Sequence, residues 1–503
     1  MADIEDTFPL AYGQRAIWFV QRLAPGNAAY NVLMAYRLGH LNIEAFEQAW
    51  QRLSDHQPCL RTTYTQLDGE PCAQVHRHLP VDFQVLSAPG ASDAELEQRL
   101  TREAHLPFDL ERGPIVRLRL FRRGEGDHAL LLAMHHIAVD AASLPILMRE
   151  LGILYGALAR GEEVALPPLP CTYGDFVRWQ LDLLGGPGGR RLETYWRQRL
   201  AGAPPLLSLP TDRPRGRVQT FGGATRAASY DPQLTRTLKA LAAGESAPLA
   251  ALLLAAFQAL LYRYSGQPDV LVGTPVSGRS RPEHQPLVGF FINTLVLRGE
   301  LAGNPTFRAL LRQAAQRWAE SREHQDYPFT LLVEKLQPDR SAGQSPLFQV
   351  FFVLYQDEPA SEPAGEATED EAAADSGDLQ LEAFPLQGQA SMLDLSLMMN
   401  EAQDHLAGTF QYNTDLFDPA TIEQLAVDYE ALLQAIAANP DRHIDGLPAS
   451  LGAAEQQPSE ERVAELTRLR AGALDGVRDR AEERLSRLGR RRRPGSDRGR
   501  SGT

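Results

Sequence analysis

The sequence predicts an α/β protein of two similar-sized domains, and three observations carry that reading. Apolar runs of strand length alternate along the chain with longer segments of helical periodicity. The same order begins afresh after residues 203–224, whose several Pro and Gly mark a link between halves. At 503 residues the chain is also longer than one ordinary core accommodates.

Taken in order, "PLAYGQRAIWFVQRLAPGNAAYNVL", starting at Pro9, reads as a helix broken at Pro25-Gly26 and followed by an extended segment. Residues 42–56 place Ile43, Phe46, Ala49 and Leu53 on one helical stripe. "LRTTYTQ" and "PCAQVHR" flank "LDGEP" as a hairpin. "IVRLRLFRR" alternates apolar and basic residues from Ile115, which predicts a strand with one wet face. "HALLLAMHH" is a continuous apolar run and so a buried strand. A helix follows from about Ala142 to Arg160, with Leu144, Leu147, Leu151 and Leu154 in register. "EVALPPLPCTYGDF" reads as a Pro-rich break before a polar helix containing "RLETYWRQRL".

In the second half, a helix over "PLAALLLAAFQALLYRYS" precedes a buried strand "DVLVGTPV". Strand "FFINTLVLRGEL", helix "TFRALLRQAAQRWAESREH" and strand "LFQVFFVLYQ" come next. A hairpin in "LDLSLMMNEAQDHLAGTFQYN" and a helix over 419–438 close the domain. Residues 357–378 hold nine acidic residues and no basic one, which predicts a disordered surface loop. From Ser459 to Arg490 the tail is charged with apolar residues at helical steps, and Arg490 to Arg493 form a basic run.

Composition narrows the function. A net charge of −14 speaks against a general nucleic-acid binder. No apolar run reaches membrane-spanning length, and "MADIEDTFPL" lacks the basic start and apolar stretch of a signal peptide. Cys59, Cys72 and Cys171 suit neither a disulfide framework nor a metal knuckle, so a cytoplasmic setting is expected.

The chemistry centres on "MHHIAVDAA", Met134 to Ala142. With twelve His in 503 residues, an adjacent pair arises by chance roughly 0.3 times, and with Asp at a fixed offset roughly 0.02 times. His136 follows a buried strand, where a rigid scaffold meets loops, and an imidazole serves as a base near neutral pH. Asp140 either bonds that imidazole or pairs with a distant Arg to fix the turn; the short offset favours the second. No G-x-S-x-G elbow, phosphate loop or metal signature is present. The simplest chemistry left is a lone His base assisting a substrate nucleophile on a preformed activated acyl group.

With these residues in view, the chain resembles a condensation domain of nonribosomal peptide synthetases, within the chloramphenicol-acetyltransferase-like superfamily. His135, His136 and Asp140 match the family's H-H-x-x-x-D-G motif. "LAYGQRAIWF", "CLRTTY", "YGDFVRWQ", "VGFFINTLVLR", "HQDYPF" and "SPLFQVFF" resemble the other family motifs in family order, covering about residues 8–450. The resemblance implies two acetyltransferase-like lobes forming a V with an active-site tunnel between them. It implies a first lobe over 1–180, a linker over 181–224, a second lobe over 225–448 and a charged helical tail over 449–503. It further implies that the chain transfers an acyl or peptidyl group from a carrier-protein thioester to an amine, forming an amide.

His136 is then the catalytic residue and His135 its structural neighbour. Asp140 is expected to pair with Arg279 of "PVSGRSRPE", and Asn293 to lie near the tunnel. No tightly bound cofactor is expected, because substrates arrive on the phosphopantetheine arms of donor and acceptor carrier proteins; neither nucleic acid nor membrane is an expected partner. Without recognisable adenylation, carrier or thioesterase signatures the chain reads as free-standing, meeting its carriers in trans. Three departures bear on substrate preference: Ala141 replaces the motif Gly, Ala142 the aromatic that usually follows, and Gln344 an Arg of the seventh motif. Two alternatives stand beside this reading. One is release of the product onto a soluble alcohol or amine as ester or amide. The other is a non-catalytic recruitment domain, in which the His pair is usually degraded.

Overall fold

The computed structural model describes residues 3–204, 206–216, 222–336, 345–356, 379, 381–384, 391–402 and 405–449. Gln344, the acidic stretch 357–378 and the tail from residue 450 onward lie outside the described residues.

The first half runs β1 (Ile4–Pro9), α1 (Tyr12–Leu23), β2 (Asn31–Leu38), α2 (Ile43–His56), β3 (Thr62–Leu67), β4 (Glu70–His76), β5 (Asp82–Ser87), α3 (Asp93–Ala104), β6 (Val116–Gly124), β7 (Asp127–His135), α4 (Ser143–Ala159), α5 (Tyr173–Gly185) and α6 (Pro187–Leu200). The second runs β8 (Gly223–Tyr230), α7 (Pro232–Gly244), α8 (Leu249–Ser265), β9 (Asp269–Val276), β10 (Asn293–Glu300), α9 (Phe307–Glu323), α10 (Phe329–Leu336), β11 (Val350–Gln356), β12 (Glu382–Ala383), β13 (Leu395–Ala402), β14 (His405–Asn413) and α11 (Pro419–Ala438). Among the described residues the strands form sheets ordered β12-β2-β7-β6-β5, β1-β4-β3 and β10-β9-β11-β13-β14-β8.

β7 is apolar from Ala129 to Met134 because both faces of its sheet are covered there. One face packs on α2 and α4 through residues such as Trp50, Leu130, Leu132 and Leu147. The other packs on α3 through Leu96, Leu100, Ala129 and Leu131. The same covering corrects the expectation for β6. The alternation predicts a wet face for its basic residues, yet Arg117 and Arg119 are buried. Asp82 and Glu103 supply the carboxylates that make this tolerable: Arg119 Nη2 lies 2.8 Å from Asp82 and its Nε 3.1 Å from Glu103.

The β3–β4 hairpin turns through Asp68-Gly69, and β1 joins β4 as a third strand that no local pattern announces. Two further corrections concern the middle of the chain. The Pro-rich break ends earlier than expected: Thr172 caps α5, accepting from the Asp175 N–H, and the helix starts at Tyr173. The expected linker 181–224 contains the end of α5 and all of α6, whose Leu192, Trp196 and Leu200 pack on Leu271, Leu295 and Leu332 of the second half. The second half in turn enters the first-half core, through Leu287, Val288 and Phe291 and through Leu379 and Leu381 beside β12.

Candidate active site

β7 ends at His135, and the chain turns into α4 through residues 136–142. In the ten residues from Leu131 to Asp140, His136 alone is not fully buried. Its Nδ1 lies 2.6 Å from the Val139 carbonyl oxygen. A carbonyl only accepts, so Nδ1 carries the proton and the lone pair of the neutral ring is on Nε2. His135 has the opposite tautomer. Its Nδ1 accepts the Ile137 N–H at 3.2 Å, and the ring lies wholly buried between Tyr30 and Phe108. Burial, and secondarily the neighbouring His136, pushes its pKa down to about 3, so it remains neutral.

Asp140 turns away from the imidazole. Its carboxylate takes both Arg279 terminal nitrogens, at 2.8 and 3.0 Å, with the two side chains only 2% and 1% exposed. Ser143 donates to Asp140 from Oγ (2.7 Å) and from its backbone N–H (2.9 Å), and the Phe291 N–H adds a bond at 3.0 Å. A buried ion pair holds only when its remaining donors and acceptors are also met, and here they largely are. The Arg279 guanidinium also donates to Leu287 O and lies 4.3 Å from the Phe291 ring centroid. Gly278 brings Arg279 into place: its φ is +67°, and a Cβ there would sit 1.9 Å from Phe291 O, so no other residue fits.

Asn293 is used structurally. Its Nδ2 donates to Gln325 O and Tyr327 O at 2.7 and 2.8 Å, and its Oδ1 accepts the Phe329 N–H at 2.9 Å. It therefore ties the start of β10 to the "HQDYPF" turn, and leaves none of its amide hydrogens for a substrate. Cys59, near Asp140 and Arg279, is pushed up to about 12, chiefly by burial, and stays a thiol rather than a nucleophilic thiolate. Ala141 has no positive φ, so the motif's glycine is not required by the backbone here; Ala142 has φ −67° and caps α4.

Residues 4–457 match the family described as Condensation domain. The chain belongs to the condensation domain family. It is 41% identical over 447 residues to a linear gramicidin synthase protein of Brevibacillus parabrevis, an alignment covering 88% of this chain and 6% of that protein. It is 36% identical to phosphinothricin tripeptide synthetase PhsC of Streptomyces viridochromogenes, covering 89% of this chain and 40% of that one. The chain thus spans less than half the length of either relative. Among solved structures, the X-domain from teicoplanin biosynthesis superposes with a TM-score of 0.78 at 27% identity, covering 89% of this chain and 99% of that one. Two chloramphenicol-acetyltransferase-like lobes are accordingly the fold of this condensation domain, and amide-forming acyl transfer in nonribosomal peptide synthesis is its family's activity.

Four residues of the condensation domain's site are not singled out by its sequence. Gln14 on α1 is fully buried and donates to Ile137 O at 2.8 Å, holding the His136 turn from below. Ser143 bonds Asp140, Arg279 Nη2 and both backbone groups of Gly289. Tyr173 donates to Phe290 O at 2.7 Å, and the Phe290 ring meets His136 edge-on at 5.2 Å. A signal exists for Gln14, which is a polar residue on the buried stripe of α1 with Ile17. Tyr173 and Phe290 act across the chain, where spacing says nothing, and Ser143 adds distant bonds to its local one with Asp140.

Proposed function

We propose that this condensation domain joins a carrier-bound acyl or peptidyl thioester to an acceptor amine, with His136 as the base. The observation that carries the proposal is the His136 tautomer. Nδ1 is committed to Val139 O, so Nε2 is the basic atom left for a substrate, on the one residue of the turn that is not fully buried. The amine nitrogen attacks the thioester carbonyl carbon, its proton passes to Nε2, the C–S bond breaks and the departing thiolate takes up a proton. His135 supports the turn as a neutral neighbour, and the Asp140–Arg279 pair fixes it from the second lobe. Substrates carried on phosphopantetheine need no cofactor held by this chain.

The carriers need a place to dock. Phe19 and Leu23, one turn apart on α1, are 58% and 71% exposed, an apolar pair flanked by Arg15 and Arg22. The same helix holds the His136 turn through Gln14. This face suits a carrier protein, and the arm it delivers would arrive near the turn.

A second reading has one observation in its favour: the teicoplanin X-domain has been solved in a complex with OxyB. Intact-protein mass spectrometry separates the two. Carriers loaded with N-acetylaminoacyl thioesters are offered with aminoacyl-carrier, free amine and alcohol acceptors. Transfer by wild type and none by His136→Ala supports the proposal, and the acceptor consumed shows whether amide or ester forms. Tight binding of a partner enzyme with no transfer by either protein would move the assignment to recruitment.

A further inference from the structure

His136 is fixed by backbone on one side and by a side chain of the other lobe on the second. The Phe290 ring stands 5.2 Å from the imidazole, centroid to centroid, at an interplanar angle of 84°. The segment carrying it is held by first-lobe groups at four successive residues. Val288 N–H reaches Gln57 Oε1 at 3.4 Å, and Gly289 N–H reaches Ser143 Oγ at 3.1 Å. Phe290 O accepts from Tyr173 OH at 2.7 Å, and Phe291 N–H donates to Asp140 Oδ2 at 3.0 Å.

Behind the ring lies Gly13 of α1, where a Cβ would stand 2.6 Å from Phe290 Cε1. The ring is thus seated against bare helix backbone. Phe291 is buried among Tyr173, Phe176 and His284, whereas Phe290 stays partly exposed beside the imidazole. The clasp holds four consecutive residues across the lobe seam, and its one projecting side chain meets His136.

We propose that Phe290 is a positioning residue for acyl transfer: a second-lobe ring that fixes the plane of the His136 imidazole so that Nε2 faces the incoming amine. One hydrogen bond at Nδ1 restrains a single edge of the imidazole. An edge-on ring excludes the rotated states that would break that bond and turn Nε2 aside. Misplacement of a proton acceptor by a fraction of an ångström slows the transfer step without changing how substrates bind.

The inference rests on the reading of His136 as the base, and the experiment keeps the two apart. The full chain is prepared as wild type, Phe290→Ala, Phe290→Leu and His136→Ala. Single-turnover transfer is followed from N-acetylaminoacyl-carrier donors over a range of aminoacyl-carrier concentrations. The ¹⁵N spectrum of histidine-labelled protein is recorded without substrate, the His136 signals being those missing in His136→Ala.

Phe290→Ala is expected to slow transfer at saturating acceptor about tenfold or more, with half-saturation changed less than about twofold. Phe290→Leu, which keeps bulk beside the imidazole, recovers part of the rate and stands in if the Ala variant does not fold. The His136 nitrogens in Phe290→Ala move from an Nδ1-protonated pattern toward averaged tautomers. An unchanged rate with an unchanged His136 spectrum overturns the proposal, as does a change confined to half-saturation. Full activity in His136→Ala sinks the base reading instead, while the spectra still decide whether Phe290 restrains the ring.

Discussion

His135 and His136 are neighbours in sequence with opposite proton placements, and the difference has a consequence for stability. His135 is held neutral, with a pKa of about 3 in the folded chain against about 6.5 for a free imidazole. The unfolded state therefore binds the proton more strongly. The stability due to His135 is complete above about pH 6.5 and is lost as pH falls toward 3, at about 1.4 kcal/mol per pH unit. Urea unfolding between pH 7.5 and 5 checks this: His135→Gln should show a pH slope shallower by about one proton, and equal slopes would contradict the burial argument. The Asp140–Arg279 pair makes a second prediction. Asp140→Asn or Arg279→Met leaves a buried charge without its partner, so each should cost about 3–5 kcal/mol, and the double variant less than the sum. Much of this site is legible in the sequence. The His pair and Asp140 stand out by spacing, and Arg279 through the family resemblance; the pairing of Asp140 away from the imidazole also agrees with the short offset. Tyr173 and Phe290 are not legible, because each acts by bonding a residue more than a hundred positions away or by facing one across the lobe seam; Ser143 lies three residues from Asp140, but its bonds to Arg279 and Gly289 are equally distant in sequence.

Elements are legible where one rule dominates. β7, α2 and α11 follow from uninterrupted apolar runs or stripes, and the helix expected over 419–438 has those ends in the structure. The misses come where a distant partner changes the meaning of a local pattern. β6 looks half-wet until Asp82 and Glu103 are placed above its arginines, and β1 has no signal apart from the strand it joins. α6 is legible as a polar helix in "RLETYWRQRL", but its place within the expected linker hides that the second-half sheet covers Trp196. Asn293 shows the same at the junction of β10 with the turn before α10. Its amide satisfies two carbonyls and one N–H of residues 325–329. Asn293→Ala should cost about 1–3 kcal/mol for the groups left unmet. Asn293→Asp should cost more, because a carboxylate cannot donate and faces both carbonyl oxygens. Thermal melts rank the two variants. Half-saturation for acceptor unchanged in Asn293→Ala would agree with an amide that touches no substrate.

At the scale of the molecule, the two lobes share cores. Leu287, Val288, Phe291, Leu379 and Leu381 belong to the second half of the chain and pack in the first lobe, while Phe384 covers the α3 face of its sheet. β12 adds to the edge of β2 in that same sheet, with Glu382 opposite Arg37 and Ala383 opposite Tyr36. Neither lobe is closed without the other. A linker joining two finished domains would permit separate unfolding; shared core residues require that the lobes melt together. Phe384→Ala should therefore cost about 3–5 kcal/mol, and Leu381→Ala about 2–5 kcal/mol, with the loss appearing in both lobes at once. The check places one fluorescent probe beside Trp50 in the first core and another beside Phe257 in the second, and follows urea unfolding at each. Coincident midpoints that shift together in the two variants are expected. Midpoints that separate, with only the first-lobe probe shifting, would mean that the crossing segment merely lies on the first lobe. In that case the clasp of residues 288–291 would have to hold the His136 turn and the second lobe in register by itself.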